Sequence, residues 1–103
     1  MKVYEVHSYG INKVTIHIER YSCNDNLALR LVTDDYEPFA SLTVNTDRKF
    51  DSRSQACVDT NNCPWAEKFI RDNELGIFTG EFVRSGRCEY PVYDFFLDKI
   101  DLE

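Results

Sequence analysis

The sequence predicts an α+β fold: a single antiparallel sheet of about five to seven strands carrying one amphipathic helix. Three observations predict it. Apolar and polar residues alternate in several short segments, one later stretch switches to helical spacing, and turn-forming residues separate the segments at short intervals. A chain of 103 residues is expected to form one domain, residues 1–103, around one modest core.

The first strand is expected over Val3 to His7, and the region Gly10–Asn12 reads as a hairpin turn. Val14, Ile16 and Ile18 alternate with Thr15, His17 and Glu19, the period of a half-buried strand. Ser22, Asn24, Asp25 and Asn26 form a turn cluster. Leu27, Leu29 and Leu31 supply a third strand, which Asp34, Asp35, Glu37 and Pro38 end. Ala40, Leu42 and Val44 supply a fourth, completing an N-terminal meander. The polar run 45–53 reads as a surface loop, and Gln55 to Asp59 as a short strand.

The helix is expected from about Cys63 to Asn73. Trp65, Phe69 and Ile70 fall on one stripe, with Glu67, Lys68, Arg71 and Asp72 largely opposite. Asn62 or Cys63 can cap its start, Pro64 suits its first turn, and Gly76 suits the left-handed position past its end. Phe78 to Arg84 and Arg87 to Tyr90 then flank Ser85–Gly86 as a C-terminal hairpin. Tyr93, Phe95 and Leu97 alternate with Asp94, Phe96 and Asp98 as a last strand, which Pro91 places at an edge or forces into a bulge.

Composition narrows the function. Eighteen acids against twelve Lys and Arg give a formal net charge of −6. Such a chain is repelled by nucleic-acid phosphates unless it carries a basic stripe. The nearest approach to one, Arg48, Lys49 and Arg53, is interrupted by Asp47 and Asp51, so direct nucleic-acid binding is not expected. Residues 1–10 hold no apolar stretch long enough for a signal peptide or membrane span, which reads as an intracellular protein with no membrane partner.

The sharpest chemical candidate is Cys63 in "TNNCPWAEKF". A thiol at a helix N-terminus feels the positive end of the dipole, which would favour the thiolate of a Cys63-dependent thiol enzyme or redox protein. Such a nucleophile needs a base, and only His7 and His17 exist, neither placed by spacing. The competing reading is structural: Cys63, Pro64, Trp65, Phe69 and Gly76 open, pack and close the helix. A structural zinc on Cys23, Cys57, Cys63 and Cys88 has enough ligands but lacks the close ligand pairs of such sites. No metal or cofactor is therefore expected. Asp34, Asp35 and Glu37 could act as paired carboxylates but read first as a solvated turn, and the four scattered glycines form no phosphate loop. Tyr90, Tyr93, Phe95 and Phe96 put aromatics on both faces of one strand, so one face can be core, and the other either exposes Phe96, with Tyr90 near it, as a protein-binding surface or is covered by another element.

Three segments, "NLALRLVTDDYEPFASLTVN", "VDTNNCPWAEKFIRDNELG" and "SGRCEYPVYDFFLDKI", resemble a family of small bacterial and phage proteins known only as a domain of unknown function. The resemblance runs from about Asn26 to Ile100. Its most specific pieces are Asn61-Asn62-Cys63-Pro64-Trp65, Leu75-Gly76, Thr79-Gly80, Ser85-Gly86, Cys88 and Tyr90-Pro91. Phe78 stands where the pattern carries a proline, and Arg87 where it carries an aromatic. The resemblance brings no catalytic residues. It implies a setting, phages and conjugative elements of gut Gram-positive bacteria, where small acidic accessory proteins often antagonise host defence. The expectation is a non-enzymatic, cytoplasmic, acidic protein-binding module, most concretely an anti-CRISPR type inhibitor that meets a basic surface of a Cas nuclease. Its expected contacts are Asp34, Asp35 and Glu37, with Asp94, Phe96, Asp98 and Asp101.

Overall fold

In the computed structural model, residues 2–102 are described, except for the side chains of residues 101 and 102. The described strands form two four-stranded sheets rather than one. The first has the order β1 (Tyr4–His7), β2 (Ile11–Arg20), β3 (Leu27–Thr33), β4 (Pro38–Ser41), an antiparallel meander as the alternation predicts. The second has the order β5 (Thr43–Val44), β6 (Gln55–Val58), β8 (Cys88–Phe95), β7 (Gly76–Ser85). Two short helices, α1 (Ala66–Asp72) and α2 (Leu97–Leu102), complete the described chain. The fold is thus largely β, and the expectation of a single sheet with one helix is corrected.

The division arises at Leu42. Its N–H donates to Leu29 O in the first sheet at 2.9 Å, while its carbonyl accepts from Asp59 N in the second at 3.0 Å. The continuous alternation Ala40, Leu42, Val44 is one strand to the eye. The chain changes sheets at its fully buried centre, where Thr43 Oγ1 accepts the Leu29 N–H at 3.2 Å. The inner faces of both sheets meet in one core that includes Val6, Val14, Leu29, Leu31, Val58 and Phe95. The second sheet is covered on its other face too. Cys57, Tyr90 and Val92 pack there with Val44 and Phe50 of the flanking segment, so Tyr90 is buried rather than exposed beside Phe96.

The helix begins three residues later than its expected start. Asp59, buried, accepts from Asn62 N at 3.2 Å and Asn62 Nδ2 at 3.0 Å, and Cys63 N donates to Asp59 O at 2.8 Å. These bonds hold 59–65 as a turn. No side chain caps α1, and Trp65 is already in helical conformation at the N-cap. The expected caps Asn62 and Cys63 thus serve the preceding turn.

At the other end Leu75 N donates to Ile70 O at 3.0 Å and Glu74 N to Arg71 O at 3.2 Å, the two bonds of a Schellman motif. The left-handed residue is Glu74 (φ 53), not Gly76. Gly76 instead starts β7, where an added Cβ would lie 2.7 Å from Asp94 O and 3.1 Å from Phe95 Cα. The glycine is required by close strand approach.

The C-terminal hairpin forms with Ser85 opposite Cys88, so its two loop residues are Gly86 and Arg87, one step beyond Ser85–Gly86. Gly86 (φ 62) alone carries the positive φ, in keeping with a glycine in the first loop position. β8 ends at Phe95, and the expected continuation of that strand through Leu97 and Asp98 is helix α2. β8 is central, yet Pro91 lies beyond its ladder with β6, which runs over 92–94, and beside a bulge in β7.

Candidate functional site

The aromatic residues divide into two sets. Around α1 they pack inward. Trp65 meets Phe39 with centroids 6.0 Å apart and Phe69 at 5.9 Å, and Phe69 meets Tyr4 at 6.1 Å. This chain of rings ties the helix to β4 and β1. Tyr93 Oη donates to Glu67 Oε2 at 2.6 Å, tying it to β8 as well.

On β7 the rings face outward. Residues 79–81 oppose Val92 alone, between the pairs Phe78–Tyr93 and Phe82–Pro91. Thr79 closes this bulge: its Oγ1 donates to Val92 O at 2.9 Å and accepts the Glu81 N–H at 3.2 Å, while Gly80 takes φ 86. The bulge absorbs the extra residues, so Phe78 and Phe82 become neighbours on one face, centroids 5.3 Å apart, with Phe78 in tilted contact with Tyr93 at 5.6 Å. Both stay exposed, at 40% and 55%, as do Ile77 and Phe96. Phe78, Tyr93 and Phe96 line a groove of about 760 Å³ with Glu67, Arg71 and Lys99. β7 is a ten-residue edge strand, so unpaired backbone groups lie beside exposed rings.

The acids expected to act as contacts do not converge on one groove. Asp34, Asp35 and Glu37 are exposed on the β3–β4 turn, with no ion pair among the described residues. There Thr33 N donates to Glu37 O at 2.8 Å and Tyr36 takes φ 64, so the turn is built by its backbone and leaves the carboxylates free. Asp34 lines a groove of about 560 Å³ with Trp65, Lys68 and Phe69. Asp94 is half-buried and accepts from Ser54 Oγ at 2.5 Å, so it braces the 52–54 turn. Phe96 is exposed between β8 and α2, and Asp98 is exposed in the first turn of α2. The side chain of Asp101 lies outside the described residues. Lys99 Nζ donates to Asn73 O at 3.0 Å and Glu74 O at 2.9 Å, satisfying carbonyls just past α1.

Cys63 is buried, and its Sγ lies 3.6 Å from Ser41 O. Burial, with the Asp59 carboxylate adding to it, pushes the thiol up to about 11, so it is protonated at neutral pH, opposite to the shift an activated thiol needs. His17 Nε2 instead meets Thr15 Oγ1 at 3.0 Å, and His7 lies 3.8 Å from Glu5. All four cysteines are free, and no three metal-binding side chains cluster among the described residues.

The outward Phe78–Phe82 pair is what sequence reasoning missed. The signal was the broken alternation Ile77-Phe78 and Phe82-Val83 on either side of Thr79-Gly80, which marks a bulge.

Comparison with known proteins identifies one family. The model of the domain of unknown function DUF4313 matches residues 15–102, most of the chain. No curated protein and no solved structure matches it.

Proposed function

The chain belongs to the DUF4313 family, and from that premise we propose that it is a non-enzymatic protein-binding module whose docking face is the Phe78–Phe82 pair with Phe96. The observation that carries this reading is the exposure of two rings in edge-to-face contact on an edge strand whose bulge brings them together. Contiguous exposed apolar surface rimmed by charge is the usual character of a protein-interaction site. Edge-strand backbone groups and rings together suit an extended segment of a partner.

The most concrete form of the proposal is a counter-defence inhibitor of the anti-CRISPR type. In this form the protein is carried by a phage or conjugative element and acts in the bacterial cytoplasm on a basic surface of a Cas nuclease. The net charge of −6 supports a basic partner, and the unpaired Asp34, Asp35 and Glu37 provide a second, steering surface. No helix among the described residues is long and apolar enough to cross a membrane.

Pull-down with purified Cas nucleases and a DNA-cleavage assay test the inhibitor. Binding with loss of cleavage supports it, and absence of both across several nuclease types removes it. Charge reversal at Asp34, Asp35 and Glu37 should slow association and flatten the fall of its rate with salt; unchanged association would free those acids of the role.

A further inference from the structure

Independently of the aromatic face, three cations meet in a pocket that the acidic composition conceals. Arg20 ends β2, and Lys49 and Arg53 belong to the loop before β6. With Asp25, Asp51 and Phe50 they line a cavity of about 320 Å³. Its walls are braced from both sides. Asn26 Nδ2 donates to Arg48 O at 2.8 Å and Asn45 Oδ1 at 3.2 Å, and Asn24 Nδ2 donates to Thr46 O at 3.2 Å. The cations are therefore carried by two loops fixed to each other.

The charges are unequal. Arg53 Nη1 holds Asp25 Oδ2 at 2.6 Å. Arg20 is half-buried and has no carboxylate within ion-pair distance among the described residues. Burial and then the neighbouring Arg53 lower the Arg20 guanidinium, with Asp25 only opposing them, so its charge is under-compensated. Asp25 feels Arg53, Arg20 and Lys49 together, which hold its carboxyl below the usual range. The turn presents Asp25 in a left-handed conformation (φ 61).

We propose that this pocket binds a phosphate-type oxyanion, held by Arg20, Lys49 and Arg53, with Asp25 as the internal competitor for the same cations. Two guanidiniums offer forked N–H pairs suited to tetrahedral oxyanions, and Lys49 adds a point charge. The overall charge of −6 does not forbid this, because screening confines the opposing field to about 8 Å at physiological salt. The ligand class is inorganic phosphate or a phosphate monoester, and the half-buried Phe50 at the pocket wall would favour the ester.

Calorimetric titration at constant ionic strength with inorganic phosphate, and separately with phenyl phosphate, tests the site. The full chain should bind at least one of them saturably, and preference between them identifies free ion or ester as the ligand. Asp25→Asn should tighten binding roughly tenfold, because the competitor is removed. Arg20→Ala, in a residue with no ion partner to lose, should weaken it roughly tenfold or more, and Arg20→Lys should fall between. Saturable binding that Arg20→Ala leaves unchanged would overturn the proposal. So would no binding to wild type and Asp25→Asn alike at about 10 mM ligand, with both proteins folded by circular dichroism.

Discussion

The α1 junction and the β7–β8 hairpin use the same material for opposite ends. Both bring aromatic rings into edge-to-face or tilted contact at about 5–6 Å. At α1 the rings Tyr4 and Phe69 are buried, the thiol of Cys63 is buried against Ser41 O, and the polar groups of Asp59 and Asn62 satisfy each other. On β7 the rings Phe78 and Phe82 stand in solvent over a bulge. The first region therefore supports the fold, and the second is free to meet something else. A motif's distinctiveness in sequence does not say which of the two it serves.

Substitution should separate the regions most strongly at the rings themselves. Phe69→Ala should cost about 3–5 kcal/mol in denaturant unfolding, by lost burial and a cavity. Phe82→Ala, on the exposed face, should change stability by no more than about 0.5 kcal/mol. Equal costs would erase the distinction. Next in size is Gly76→Ala. Its Cβ would meet Asp94 O at 2.7 Å, so a loss of about 1–3 kcal/mol is expected where strand backbones must shift. A smaller, opposite effect belongs to Glu74→Gly. It removes the steric cost of a left-handed non-glycine residue and should stabilise by about 1 kcal/mol. A destabilised variant would mean that Glu74's side chain, not its backbone, closes the helix.

The Cys63 thiol gives the finest test of closure. Its folded value, near 11, lies above the ordinary value of 9.0. The unfolded chain therefore loses this proton first, and stability present below pH 9 should decline as pH rises toward 11. Cys63→Ala should flatten that part of the stability profile. In the native protein at pH 8, thiol alkylation should mark exposed Cys23 well before Cys63. Rapid labelling of Cys63 would contradict its burial.

Much of this architecture was legible in the sequence. The alternation of Val14, Ile16 and Ile18, and of Leu27, Leu29 and Leu31, carried the meander because a period of two is written locally. The stripe Trp65, Phe69, Ile70 carried the helix. What was not legible depended on partners distant in sequence. The sheet change at Leu42 is made by hydrogen bonds to Leu29 and Asp59, and periodicity runs straight through it. Gly76 looked like a helix stop because its reason, the backbone of Asp94 and Phe95, arrives much later in the chain. The alternation stops at Leu97: Leu97 and Ile100 fall at i and i+3, the spacing of the short helix α2 that forms there. At the site, the acids of the β3–β4 turn could be placed on the surface from composition alone. The exposure of Phe78 and Phe82 could not, since an aromatic strand usually signals core.

The most direct measurement compares partner binding by wild type and Phe78→Ser/Phe82→Glu on the Cas nuclease of the proposed complex, or on whichever partner affinity capture identifies. Thermal melting confirms that both proteins are folded. If the aromatic face is the docking surface, the variant should keep its melting temperature and lose affinity by about a hundredfold or more. Full affinity in the folded variant would contradict the account and return the binding role to another surface.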